Sequence, residues 1–392
     1  MRDSRVKYET HFRFVHSVLA TLFISGAAVH PNDLASWTLH GNTYSQPTDW
    51  MVAEAGYPVE SHDVVTEDGY ILTLHRLPQH RPGVESEVVF LQHGLMSSSA
   101  DWVLAGPHHA LAYQLWDAGY DVWLGNFRGN TYSRGHLNQT MEERIYWRFT
   151  WDEHAQYDLP AMLRHVMEVS GAEDYFYIGH SMGTLSYFTA CNYNAWLCNK
   201  TRLMVGYGPH TSVPHLSSPL FRFLARFSGS IHWLLQEIGM YEFMPSSWLV
   251  HALAEKVCDR VKYGEELCEN MLFSIGGYDL AEMNATLVPF IVGHTPAGTS
   301  SLNMIHYAQS VRGGPWAGYD WGSADLNMAR WNSPTPPLYT YTNITSPVAL
   351  YWADNDILVV PQDVRSLASS LPNLVSFTGD LSFREGFKYL CY

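Results

Sequence analysis

The chain has 392 residues, 46% of them hydrophobic and 16% charged, and 38 acidic against 23 basic residues give a formal charge of -15. That profile excludes a disordered or low-complexity chain and guarantees a sizeable core. The acidic balance, with no dense Lys/Arg cluster to reverse it locally, argues against nucleic acid and anionic membranes as partners.

At the amino terminus, Arg2, Arg5, Lys7 and Arg13 lead into a mostly apolar stretch from Phe14 to Val29 that ends in Ser25, Gly26, Ala27 and Ala28. This reads as a signal peptide over residues 1–28. A stretch holding His16, Ser17 and Thr21 is too short and too polar for a transmembrane span, which needs about 20 apolar residues. On the secretory route, the Asn-X-Ser/Thr sequons at Asn138, Asn199, Asn284 and Asn343 become glycosylation sites. The cysteines Cys191, Cys198, Cys258, Cys268 and Cys391 form no Cys-x-x-Cys pair and no zinc-type ladder, so no metal is expected. In an oxidising compartment, Cys191 with Cys198 and Cys258 with Cys268 are both local enough to bridge.

The globular part opens at Tyr57 to Pro78, where Glu67-Asp68-Gly69 separates two alternating stretches and predicts a β-hairpin. Val88 to Leu91, Tyr120 to Leu124 and Tyr175 to Ile178 are short apolar runs, each soon ended by glycine, as buried parallel strands are. Between them, Ala110 to Trp116 and Leu159 to Val169 carry helical spacing, so strand and helix alternate and an α/β fold with a mainly parallel sheet is expected. From Pro209 to Pro337 the pattern changes: Leu220, Leu224, Phe227, Ile231, Leu235 and Ile238 mark a helical apolar stripe. Val348 to Trp352 then resumes a buried strand. The organisation expected is a core over 29–208 and 338–392 with a helical cap or lid inserted at 209–337.

Gly179-His180-Ser181-Met182-Gly183 follows a predicted strand and precedes the helix-compatible segment Thr184 to Asn192, the context of a nucleophile elbow. Small residues two before and two after the serine allow the sharp turn, and the Met182 N–H then points at a developing oxyanion. The loop His93-Gly94-Leu95 at the end of an earlier strand supplies Leu95 N–H as the second donor, with His93 itself read as structural. An acid is expected after a later strand, where both Asp354 and Asp356 stand, and strand position does not choose between them.

Phe90-Leu91-Gln92-His93-Gly94-Leu95, Gly119 to Gly135 (GYDVWLGNFRGNTYSRG), Tyr157-Asp158-Leu159-Pro160-Ala161-Met162, the serine pentad, His294-Thr295-Pro296-Ala297-Gly298-Thr299-Ser300 and Asp356 to Val364 (DILVVPQDV) occur in this order. Together they resemble the acid lipases, the family of gastric, lysosomal acid and insect digestive lipases, over nearly the whole stretch from Asp49 to Phe377. The resemblance implies an α/β-hydrolase fold with a cap over a hydrophobic acyl site. It also implies hydrolysis of triglycerides or cholesteryl esters at a lipid–water interface without a cofactor. By it, Ser181 is the nucleophile, Asp356 rather than Asp354 the acid, Leu95 and Met182 the oxyanion donors, and Cys258 with Cys268 the cap disulfide.

The chain departs from the family in one respect: the family has a histidine shortly after the strand that here reads Leu374-Val375-Ser376-Phe377, whereas the last histidine of this sequence is His306. An altered carboxy terminus is the favoured explanation, ahead of an inactive relative. A base borrowed from elsewhere ranks last, because Ser181 Oγ must lie within about 3 Å of an imidazole held by the acid.

Overall fold

The structure, a computed structural model, describes residues 45–79, 86–226, 240–243 and 288–379. The expected signal peptide, Cys258, Cys268, Cys391 and Asn284 lie outside the described residues, as does most of the apolar stripe.

The hairpin forms from β1 (Glu60–Val65) and β2 (Tyr70–Leu77), its turn closed by Thr66 N donating to Tyr70 O at 2.8 Å. There follow β3 (Val88–Gln92), β4 (Asp121–Gly125), the short β5 (Gly135–His136), β6 (Tyr175–His180) and β7 (Thr201–Tyr207). Among the described residues the two-residue strands β8 (Glu242–Phe243) and β9 (Thr299–Ser300) pair only with each other, and β10 (Val348–Tyr351) and β11 (Leu374–Thr378) return to the main sheet. Its order is β1-β2-β4-β3-β6-β7-β10-β11, with β5 beside β2. β2 runs antiparallel to β1 and β4, and every neighbouring pair from β4 to β11 is parallel.

Parallel strands covered on both faces should be apolar through their middles, and β3, β4, β6, β7 and β10 are, with polar residues such as Gln92, Asp121, His180 and Thr201 at their ends. Phe90, Tyr175, Tyr177, Met204 and Leu350 belong to the core on one face. Their chain neighbours Val89, Leu91, Phe176, Ile178, Val205 and Ala349 belong to the core on the other. Parallel neighbours need crossovers, and helices Leu111–Asp117, Leu159–Ser170, Met182–Tyr193 and Pro361–Ser370 supply them. The strand β7 is an addition to the sequence reading. Its run Leu203-Met204-Val205 carries the same apolar signal as the other strands.

Cys191 of the helix Met182–Tyr193 is bonded to Cys198 of the helix Ala195–Lys200, both buried, with Cα atoms 5.5 Å apart. Between β7 and β10 the described helices are Pro219–Arg226, Val288–His294, Ser301–Val311 and Ala324–Trp331. Among the described residues no helix is long and apolar enough to cross a membrane.

Candidate active site

Ser181 stands between β6 and its helix with φ 47° and ψ -115°, a conformation that costs a side-chain-bearing residue about 1–3 kcal/mol. The surroundings hold it there. Its N–H donates to Tyr207 O across the parallel pair at 2.8 Å, and its carbonyl accepts from Thr184 N at 2.9 Å and Thr184 Oγ1 at 2.7 Å. The turn is also sterically enforced: a Cβ on Gly183 would lie 2.5 Å from Gln92 O, so only glycine lets the helix begin this close to β3.

The loop after β3 lies directly against this turn, since a Cβ on Gly94 would be 3.2 Å from Ser181 Cβ and 3.1 Å from His180 Nδ1. Leu95 and Ser181 are both partly exposed there. Among the described residues, neither Leu95 N–H nor Met182 N–H has an acceptor; the latter is the first N–H of its helix and has none by construction. Two free donors beside a serine hydroxyl are suited to a developing negative oxygen.

Asp354 and Asp356 separate clearly. Asp354 is exposed and reaches only Arg365, at 4.0 Å. Asp356 turns inward: its Oδ1 accepts the N–H groups of Leu358 and Val359, each at 2.8 Å, and its Oδ2 would lie 3.8 Å from a Cβ on Gly208. Gly208 directly follows Tyr207, whose carbonyl holds Ser181 N, so Asp356 and Ser181 flank the same end of β7. Burial pushes the Asp356 carboxyl up to about 6, against the two N–H groups that favour its anion.

No hydrogen bond joins Ser181 Oγ or Asp356 Oδ2 to any histidine among the described residues. His180 and His210 are nevertheless close enough to influence one another, and burial pushes each down to about 4. The His210 ring lies 3.3 Å from Gly208 O and 3.2 Å from Tyr307 Oη, and the backbone N–H of His210 donates to Thr184 Oγ1 at 3.3 Å. Neither Thr184 nor His210 drew attention in the sequence, where nothing marks a residue whose work is to brace a turn. Three of the sequon asparagines, Asn138, Asn199 and Asn343, are exposed.

Comparison with known proteins gives the family and the fold. Residues 48–106 match the family model described as "Partial alpha/beta-hydrolase lipase region", and residues 87–205 match that of the alpha/beta hydrolase fold. Lipase lipl-1 of Caenorhabditis elegans is 41% identical over 81% of this chain and 80% of its own length. Mouse lipase member K and rat gastric triacylglycerol lipase are each 39% identical over 83% of this chain and 82% of theirs. The chain belongs to the acid lipase family, lipase-type ester hydrolases with the α/β-hydrolase fold.

Proposed function

We propose that the site of this chain is built for hydrolysis of triglycerides or sterol esters at a lipid–water interface, with Ser181 as nucleophile, Asp356 as the acid, and Leu95 and Met182 N–H as oxyanion donors, and that serine-dependent turnover waits on a base to complete it. The observation that carries the reading is the strained Ser181 turn packed against Gly94, with two unengaged N–H groups beside it and Asp356 across the end of β7. In that reading Ser181 Oγ gives up its proton to a base as it bonds to the ester carbonyl carbon, the carbonyl oxygen takes the negative charge between the two N–H groups, and the ester C–O bond then breaks as that proton passes to the leaving oxygen and the alcohol departs. Water then releases the fatty acid from the serine. The segment 209–337 acts as the cap. Entry into the secretory route is supported by the amino-terminal pattern, the Cys191–Cys198 bridge and the exposed sequons at Asn138, Asn199 and Asn343; Asn284 is a fourth acceptor.

The relay needs an imidazole between Ser181 Oγ and Asp356, and no histidine occurs between Asp356 and Tyr392. Without the base, an enzyme of this kind keeps only about 10³–10⁴ over the uncatalysed rate, from binding and the oxyanion hole. Hydrolysis of a long-chain p-nitrophenyl ester by the chain as given is therefore expected to equal that of Ser181→Ala. A parent much faster than the variant would reveal a base this reading lacks.

The same absence favours a second reading, a lipid-binding relative that holds acyl chains without turning them over. Long-chain fatty-acid binding unchanged by Ser181→Ala, with no labelling of Ser181 by a phosphonate ester even with added imidazole, selects it over the first.

A further inference from the structure

His93 follows β3 and is 1% exposed. Its Nε2 lies 3.1 Å from Phe127 N and 3.2 Å from Asn130 Nδ2, and its Nδ1 lies 2.8 Å from Gly94 O. The Asn130 amide is oriented unambiguously, because its Oδ1 accepts the N–H groups of Tyr132 and Ser133, each at 3.0 Å. Its Nδ2 therefore faces His93, Asn126 Oδ1 at 2.9 Å and Ser97 O at 3.3 Å. Both neighbours of His93 Nε2 are then donors, so Nε2 carries the lone pair, and the ring hydrogen sits on Nδ1 and is given to Gly94 O.

That last bond has a directional consequence. The Gly94–Leu95 peptide is trans, so its C=O and N–H point in opposite directions within one plane. Fixing Gly94 O toward the imidazole turns Leu95 N–H away from it, out of the loop, where it has no acceptor among the described residues. We propose that His93 is a positioning residue: in its neutral Nδ1–H form it sets the plane of the Gly94–Leu95 peptide and so aims Leu95 N–H at the oxyanion. This rests on the reading of Ser181 as nucleophile. Burial keeps the ring neutral, pushing it down to about 4.

The test uses equilibrium binding, so it needs no turnover. An alkylboronic acid adds to a serine when Oγ donates a lone pair to boron. The Oγ–B bond forms, the hydroxyl proton leaves to solvent, and boron becomes tetrahedral and anionic with one oxygen at the oxyanion position. Three variants are compared with the parent: Ser181→Ala, His93→Gln and His93→Asn. Asparagine carries an amide donor where Nδ1 stood, whereas glutamine places its amide near Nε2 and leaves Gly94 O without one.

The expected result is a boronate affinity at least about tenfold weaker in His93→Gln and within about threefold of the parent in His93→Asn. Affinity for a long-chain fatty acid, which forms no serine adduct, stays unchanged in both. Equal boronate affinity in His93→Gln and the parent overturns the proposal, and so does an equal loss in both His93 variants. A parent no tighter than Ser181→Ala instead overturns the nucleophile reading, and this one with it.

Discussion

Tyr307 Oη lies 3.2 Å from His210 Nε2, joining the helix Ser301–Val311 to the loop that leaves β7. Asn303, four residues earlier on the same helix face, places its Nδ2 3.2 Å from Met182 Sδ, and Ser310 Oγ accepts from Val213 N at 3.1 Å. A polar stripe of this helix thus rests on the serine elbow and on the loop beside it.

Because Gly208 O accepts from His210 Nδ1, the Tyr307 hydroxyl donates to Nε2. Tyr307→Phe leaves that buried nitrogen unpaired and should lower unfolding stability by about 1–3 kcal/mol. Adding His210→Leu to Tyr307→Phe should cost less than the sum of the two single changes, since both remove the same Tyr307–His210 bond and the nitrogen that Tyr307→Phe orphans is gone. Chemical denaturation of the four proteins measures this, and strict additivity would show that the contact carries no energy.

The chain as given offers Ser181 and an inward-facing Asp356 carboxylate with one oxygen engaged by backbone and the other not. Imidazole supplied in solution should raise ester hydrolysis in a saturable way, because a base in this gap takes the Oγ proton while Asp356 stabilises its cation. The rise should vanish in Ser181→Ala and weaken in Asp356→Asn. If imidazole accelerates Ser181→Ala equally, it is acting on the ester in solution and the site reading gains nothing from it.

The Cys191–Cys198 bridge closes a loop of seven residues' separation between two buried positions. Constraint of the unfolded chain by so short a loop is worth about 2–3 kcal/mol. Cys191→Ala with Cys198→Ala should therefore unfold at lower denaturant, and reductant should shift the parent toward the double variant while leaving that variant unmoved.

How much of this was legible in the sequence depended on whether the cause was local. The runs that became β3, β4, β6 and β10 announced themselves, because burial on both faces demands apolar residues through their middles, and in the first three glycine soon ends the run where backbones crowd. The serine pentad was legible for the same reason: its small residues answer a steric demand made within five positions. Asp354 and Asp356 were not separable, since both follow β10 closely and only the folded backbone turns Leu358 and Val359 N–H toward one of them. The partners of His93 were out of reach altogether, as Phe127 and Asn130 stand 34 and 37 residues away. Pairings set by sheet order leave no periodic trace.

The buried histidines should each weaken this fold in acid, and one of them should show why. Burial pushes His75, His93, His180 and His210 down to about 4, and His154 and His306 well below their ordinary value. Their unfolded counterparts take up protons near pH 6.5, so stability present above that pH is lost as it falls toward 4. Buried carboxyls act in the opposite sense: Asp101 and Asp152 are pushed up to about 7 and Asp158 and Asp356 to about 6, which favours the folded state as pH falls through that range. The two sets oppose one another, so a single imidazole rather than the melting temperature of the parent isolates the histidine contribution. His154 isolates the effect, for its ring stacks on Phe127 at 4.3 Å and both its nitrogens are buried without a hydrogen-bond partner. His154→Met keeps the volume and removes an imidazole that gains nothing from its polarity, so it should stabilise the protein. The gain should be larger at pH 4.5 than at pH 7.5, because only at the lower pH does the unfolded histidine hold a proton that the folded one refuses. Equal gains at the two pH values would mean that His154 is charged alike in both states, and the account of acid sensitivity would fail with it.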